Sequence, residues 1–182
     1  MIYCNNILFI LCLGECEFHA NILSQDCGAQ YDWLQATLPT IPSSDWLIVV
    51  GHHPIDEVNV LDFTTLLQSR GFSIYLNGHS HALTHYTIDN KGAYVTSGAG
   101  ALVNTYDQTH PITALKVNGG NIARDPTVSA SHSYQTVFNQ KVAGFTVHTF
   151  SEDFSTLLTE FVTYTGSVIH SFTVNKAGAV IA

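Results

Sequence analysis

The chain has 182 residues, 46% of them hydrophobic and only 11% charged, and its 6 basic and 14 acidic side chains give a net charge of −8 at neutral pH. That length fits one domain or part of a larger one, and the apolar content excludes a disordered polypeptide. Six scattered basic residues exclude a surface that neutralises a run of phosphates, so no nucleic acid is expected as a partner. No apolar stretch approaches the roughly 20 residues needed for a helical membrane span. Histidine is the informative excess: ten residues, more than lysine and arginine together.

All four cysteines (Cys4, Cys12, Cys16 and Cys27) fall in the first 27 residues, so disulfides do not hold the rest of the chain together. The C-x3-C spacing of Cys12 and Cys16 lacks the second pair that a zinc finger needs. The run Ile7-Leu8-Phe9-Ile10-Leu11-Cys12-Leu13 ends at Gly14. No lysine or arginine precedes it and no small-x-small site follows, so it makes no convincing signal peptide and reads instead as a buried strand.

Cys27 to Leu38 reads as an amphipathic helix, with Tyr31, Leu34 and Leu38 on one face and Pro39 as its stop. Trp46 to Val50 is a buried strand closed by Gly51. Asp56 to Arg70 is the next helix, with Gly71 as its C-cap, and Phe72 to Leu76 the next strand, closed by Asn77-Gly78. Strand, helix and strand over so short a span predict a right-handed parallel crossover. A hairpin follows from Leu83 to Ile88 and Ala93 to Thr96, turning at Asp89-Asn90-Lys91-Gly92. Residues 104–140, rich in Asn, Gly, Thr and Ser, read as a long irregular insertion. Three strands close the chain: Val142–Phe150, Thr156–Thr163 and Val168–Val174.

Two histidine clusters sit just past the two parallel strands, at the edge where open α/β sheets bind ligands. They are Val49-Val50-Gly51-His52-His53-Pro54 and Gly78-His79-Ser80-His81. A glycine before each histidine lets the backbone turn sharply off the strand, and neutral imidazole suits zinc, iron, copper or nickel. Each remaining histidine, alone in its segment, is read as structural.

These residues resemble a known family. The stretch from Ala29 to Ala101 is similar to the C-terminal half of the calcineurin-like metallophosphoesterases, above all the purple acid phosphatases of the tartrate-resistant type. The resemblance rests on Gln30-Tyr31-Asp32-Trp33-Leu34, on the V-x-x-H motif Val49-Val50-Gly51-His52 with Pro54, on the G-H-x-H motif Gly78-His79-Ser80-His81, and on Thr96-Ser97-Gly98-Ala99-Gly100. The closing strands, from Ala143-Gly144-Phe145 to Phe172, resemble the family's last β-layer. The resemblance implies an α/β fold, the C-terminal half of an α/β/β/α sandwich, with residues 1–26 an atypical N-terminal segment (a strand or a gene-model artefact) and 27–182 a partial metallophosphoesterase domain.

By the same resemblance, His52 and His79 would bind a divalent metal and His81 a ferric ion. The family's centre is binuclear, Fe³⁺ with Fe²⁺, Zn²⁺ or Mn²⁺, and cleaves phosphate monoesters by an in-line displacement. His53 stands where the family usually has another residue, and its place beside a ligand makes it a candidate substrate contact. The resemblance also implies secretion or a lysosomal-type location. Three family motifs, D-x-G, G-D-x-x-Y and G-N-H, have no counterpart at their places in this sequence. Without their oxygen ligands this chain is expected to hold at most one weakly bound divalent ion and to be inactive by itself, a missing N-terminal half being its natural partner. The strands at 46–50 and 72–76 are then expected to lack neighbours on one side. A nucleotide or phosphodiester hydrolase of the same superfamily, or a non-catalytic remnant, are the other readings.

Overall fold

A computed structural model describes residues 2–4, 7–11, 27–55, 62–100 and 132–182. The cysteine pair Cys12–Cys16, the proposed helical stretch 56–61 and most of the proposed insertion lie outside these residues. The described elements are β1 (Ile2–Cys4), β2 (Ile7–Leu11), α1 (Cys27–Thr37), β3 (Trp46–Val50), α2 (Phe63–Arg70), β4 (Ile74–Asn77), β5 (Leu83–Ile88), β6 (Lys91–Ser97), β7 (Tyr134–Gln140), β8 (Gly144–Phe150), β9 (Thr156–Thr163) and β10 (Val168–Asn175).

They form a seven-stranded mixed sheet, in the order β1-β2-β3-β4-β6-β5-β7, and a three-stranded antiparallel sheet, β10-β9-β8. β2, β3, β4 and β6 run parallel; β1, β5 and β7 join by antiparallel pairing. The α/β character expected from the sequence is observed, with the β3-α2-β4 crossover at its centre.

Three expectations need correction. First, β3 and β4 do not lack neighbours: β2 lies alongside β3 in parallel register, Ile7 opposite Trp46 and Leu11 opposite Val50, and β6 lies beside β4. The apolar run read as a buried strand supplies that partner. Second, the proposed helix is not continuous through Asp62, which is the N-cap of α2 and accepts a hydrogen bond of 2.7 Å from the Thr65 amide. Third, the tract 104–140 ends in a regular strand. Tyr134-Gln135-Thr136-Val137-Phe138 is β-prone, and β7 pairs with β5 from Tyr134 opposite Ile88 to Gln140 opposite Leu83.

Period-two alternation in β3 divides the interior in two. Leu47 and Val49 face the helices, where they pack with Leu34, Leu38, Leu67, Tyr75 and Tyr94. Trp46 and Ile48 face the second sheet and meet Leu157, Phe161, Phe172 and Val174. The molecule is therefore helix on sheet on sheet. Two cross-links fix the layers: the Trp46 indole donates to the Phe154 carbonyl at 2.9 Å, and the Ser73 hydroxyl donates to the Lys176 carbonyl at 2.8 Å. Among the described residues no helix covers the outer face of the three-stranded sheet, and none is long and apolar enough to cross a membrane. On that outer face Phe145, Val162 and Val168 form one rung across all three strands, with Phe145 and Val168 about half exposed.

Candidate metal centre

The two histidine turns are sewn together by backbone hydrogen bonds at the ends of β3 and β4. The Gly51 amide donates to the Leu76 carbonyl and the Gly78 amide to the His52 carbonyl, both at 2.9 Å. The sheet ladder thus continues one step into each turn, which fixes how the two loops stand against each other. Beneath them lies a buried polar layer. The Thr96 hydroxyl donates to Asn77 Oδ1 at 2.7 Å, and Asn77 Nδ2 donates to the Tyr86 hydroxyl at 3.3 Å. Both ends of the Asn77 amide are held, so the residue just before Gly78 has a single orientation.

His79 has φ +50, an uncommon conformation for a residue with a Cβ. The tight bonds Ser80 N–H to Gly78 O and Ala82 N–H to Ser80 O, each 2.6 Å, hold the turn in that shape. Residues outside the common backbone regions are held there only where their surroundings determine them, frequently at functional sites. The neighbouring strand end completes the support. The Gly98 amide donates to the Ala82 carbonyl at 3.1 Å, and the backbones approach so closely that a Cβ on Gly98 would collide with the Ser80 carbonyl.

Three imidazoles converge on this frame. His52, His53 and His79 each offer a ring nitrogen, and the three atoms lie within 4.8 Å of one another. His53 Nε2 and His79 Nδ1 share a hydrogen bond of 2.7 Å, and the ring centroids of His52 and His79 are 5.3 Å apart. His53 is buried, 4% exposed, while His52 is exposed. The Tyr75 hydroxyl donates to the His53 carbonyl at 2.9 Å and pins its backbone. Burial, followed by the nearby charge of His79, pushes the His53 pKa down to about 3. Its imidazole is therefore neutral across the physiological range, the form that ligates a metal.

His52 and His79, both expected from the sequence as ligands, come together. His81 lies outside the group, and His53, expected as a substrate contact, lies inside it. The sequence reading did not foresee His53 facing His79, since adjacent residues carry no signal of which ring turns inward. The donor set decides what the group can hold. Zinc at 2.0–2.1 Å from tetrahedral nitrogens needs those nitrogens about 3.3 Å apart, so one borderline divalent ion fits after small ring shifts. Among the described residues the group offers no anionic oxygen donor, the kind that a hard ferric ion prefers.

With this geometry in view, the relatives are informative. No family model matches the chain. Tartrate-resistant acid phosphatase type 5 of Rattus norvegicus is 34% identical over 79 residues, 39% of this chain and 24% of that protein. Purple acid phosphatase 17 of Arabidopsis thaliana is 36% identical over 66 residues, 31% of this chain and 19% of that protein. Among solved structures, a purple acid phosphatase from yellow lupin (Lupinus luteus) seeds superposes with a TM-score of 0.63 at 18% identity, over 93% of this chain and 31% of that one. GAP50, the anchor in the inner membrane complex of Plasmodium, superposes with a TM-score of 0.58 at 19% identity, over 93% and 48%. The chain is thus related to the metallophosphoesterases and has their fold, and its matches span about a quarter or less of the curated relatives' length.

Proposed function

We propose that this chain is the metal-binding C-terminal part of a phosphate monoester hydrolase of the purple acid phosphatase type, and that by itself it binds a divalent ion without appreciable turnover. The observation that carries the reading is the convergence of His52, His53 and His79 at the C-terminal edge of parallel strands. Kinship with acid phosphatases supplies the substrate class and the expectation of a secreted or lysosomal setting.

In this reading His52 and His79 hold the ion, and His53 orients His79 through their shared hydrogen bond, or turns to serve as the third ligand. His53 is too enclosed to meet a substrate directly. A bound divalent ion supplies Lewis-acid polarisation of a phosphoryl oxygen. His52, the exposed member, faces the solvent from which a phosphate would arrive. His81, one residue beyond Ser80 on the same turn, would join only with the acidic ligands of a second site, the place the family gives to its ferric ion.

The test is a titration with Co²⁺ or Zn²⁺, read by ligand-field absorption or calorimetry, on the full chain and on His52→Ala, His79→Ala and His81→Ala. Saturable binding at one ion per chain that is lost in His52→Ala and His79→Ala and kept in His81→Ala is expected. Unchanged binding in both of the first two variants overturns the assignment. Metal-dependent cleavage of an aryl phosphate at the rate of a complete enzyme would overturn the inactive reading.

A further inference from the structure

A second cluster of titratable groups lies away from the candidate metal centre and joins three elements. His132, directly before β7, has a side chain only 7% exposed. Its Nδ1 lies 2.7 Å from Asp89 Oδ2, in the β5–β6 turn, and its Nε2 lies 3.0 Å from Asp62 Oδ1, the N-cap of α2. Each carboxylate has a further structural duty. Asp62 Oδ1 also accepts from the Thr65 amide at 2.7 Å, closing the first turn of α2. Asp89 Oδ1 accepts from the Ser133 amide at 2.8 Å, and the Asp89 amide donates to the Ser133 carbonyl at 2.7 Å. One imidazole therefore stands between the start of α2, the tip of the β5–β6 hairpin and the start of β7.

We propose that His132 is a pH-operated clasp: as an imidazolium it donates one N–H to each aspartate and fastens α2 to the hairpin and β7, and on losing a proton it releases one of the two. The proton count dictates this. Imidazolium has two N–H donors and neutral imidazole has one, so the neutral ring must turn a lone pair toward one carboxylate. That contact is repulsive where the other was a charge-assisted bond.

The surrounding charges favour the closed state. Burial alone would lower the His132 pKa, but hydrogen bonds to Asp89 and Asp62 and their negative charges raise it above the ordinary value of 6.5. Both aspartates are in turn held below the usual carboxylate range. Burial raises each, and this is outweighed by bonds to Thr65 and His132 at Asp62, and by Ser133, His132 and the charge of Lys91 at Asp89. Lys91, on β6, is the one other charged group that bears on the cluster among the described residues, and β7 itself carries no charge from Tyr134 to Gln140. A raised histidine pKa contributes stability that is complete below the unfolded value and is lost as pH rises through the folded value. The clasp is closed below a midpoint raised above 6.5 and loosens as pH rises through it. Among the described residues α2 is the next helix after the His52–Ile55 turn. Nothing in this depends on the chemistry proposed for the metal centre.

The experiment is an NMR titration of the histidine Cε1 protons in the full chain, with His132→Gln assigning the resonance. The His132 midpoint is expected above 6.5 and is expected to fall in Asp62→Asn and in Asp89→Asn. Amide exchange of Thr65 and Ser133, measured on either side of that midpoint in the unmodified chain, is expected to lose roughly tenfold or more of its protection on the alkaline side, the scale of one charged hydrogen bond. A midpoint at or below 6.5, a midpoint unmoved by both aspartate substitutions, or equal protection at both pH values overturns the proposal.

Discussion

Gly98→Ala tests whether the metal-centre turns are held by backbone contact rather than by their side chains. A Cβ at this position would be driven into the Ser80 carbonyl oxygen, with the Ser80 carbonyl carbon at 2.9 Å and the Gly78 carbonyl carbon at 3.2 Å. All three are backbone atoms of the Gly78–His81 turn, which two short-range hydrogen bonds already fix. No flexible side chain can yield, so the turn or the end of β6 must shift. Overpacking of this kind costs about 1–3 kcal/mol. For a chain of this length each kcal/mol lowers Tm by roughly 2–4 °C, so a fall of about 2–12 °C is expected. Gly100→Ala is the matched control: the same change two residues on, where a Cβ meets nothing within 4 Å. There the loss of unfolded-state freedom is worth about 0.4–1 kcal/mol in favour of the native state, and Tm should hold or rise slightly. Both variants are melted in parallel by calorimetry and titrated with Co²⁺. Gly98→Ala should also weaken cobalt binding, because the shift passes directly to His79. Indistinguishable melting points for the two variants would refute the reasoning.

Other consequences follow from the interior. Phe161, fully buried between the sheets against Phe138, Phe172 and His170, should cost about 3–5 kcal/mol when replaced by alanine; a loss below 1 kcal/mol in urea unfolding would mean the sheets do not share a core. Thr96→Val removes the donor to Asn77 Oδ1 while keeping the shape, and an unsatisfied buried acceptor costs about 1–3 kcal/mol; a wild-type melting point would exclude the polar layer as a support of the Gly78 turn. His85 is pushed to about 4 by burial and then by the charge of His170, and His148 to about 4 by burial. Each binds its proton more readily when unfolded, so each contributes stability above 6.5 that falls by up to about 1.4 kcal/mol per pH unit as pH drops toward 4. Urea midpoints at pH 7, 5.5 and 4.5 check this, and a flat profile contradicts it.

The parts of the fold that the sequence revealed share one property: the residues that specify them are adjacent. Trp46-Leu47-Ile48-Val49-Val50 is an unbroken apolar run ended by glycine, and it is buried from Trp46 to Val49 because helices cover one face and a second sheet the other. β7 was hidden for the opposite reason. Its residues are mostly exposed, so Tyr134 to Gln140 carries no strong period and merges with the polar tract before it. The cap of α2 is not marked in the sequence, because it is the hydrogen bond from the Thr65 amide that makes Asp62 the N-cap. β2 was legible as a strand, but its role as the parallel partner of β3 depends on pairing across residues that are remote in the chain.

The metal centre divides along the same line. The glycine-led turns marked His52 and His79, since a histidine just past a buried strand at a parallel sheet edge has few structural reasons to be there. The period of an extended loop would also have set His81 beside His79, two residues on. The positive φ of His79 breaks that alternation, and the place is taken by His53, whose carbonyl Tyr75 grips from the neighbouring strand. The conformation that brings His53 in is thus fixed by strand β4 and the Gly98 contact, neither of them near His53 in sequence. His132 is the extreme case, 43 residues from one aspartate and 70 from the other. A lone histidine has no local signature, and its chemistry exists only once β5, β7 and α2 are assembled. For this chain, then, the residues proposed as ligands are marked by local sequence, whereas the contacts of His53 and His132 are defined by tertiary structure.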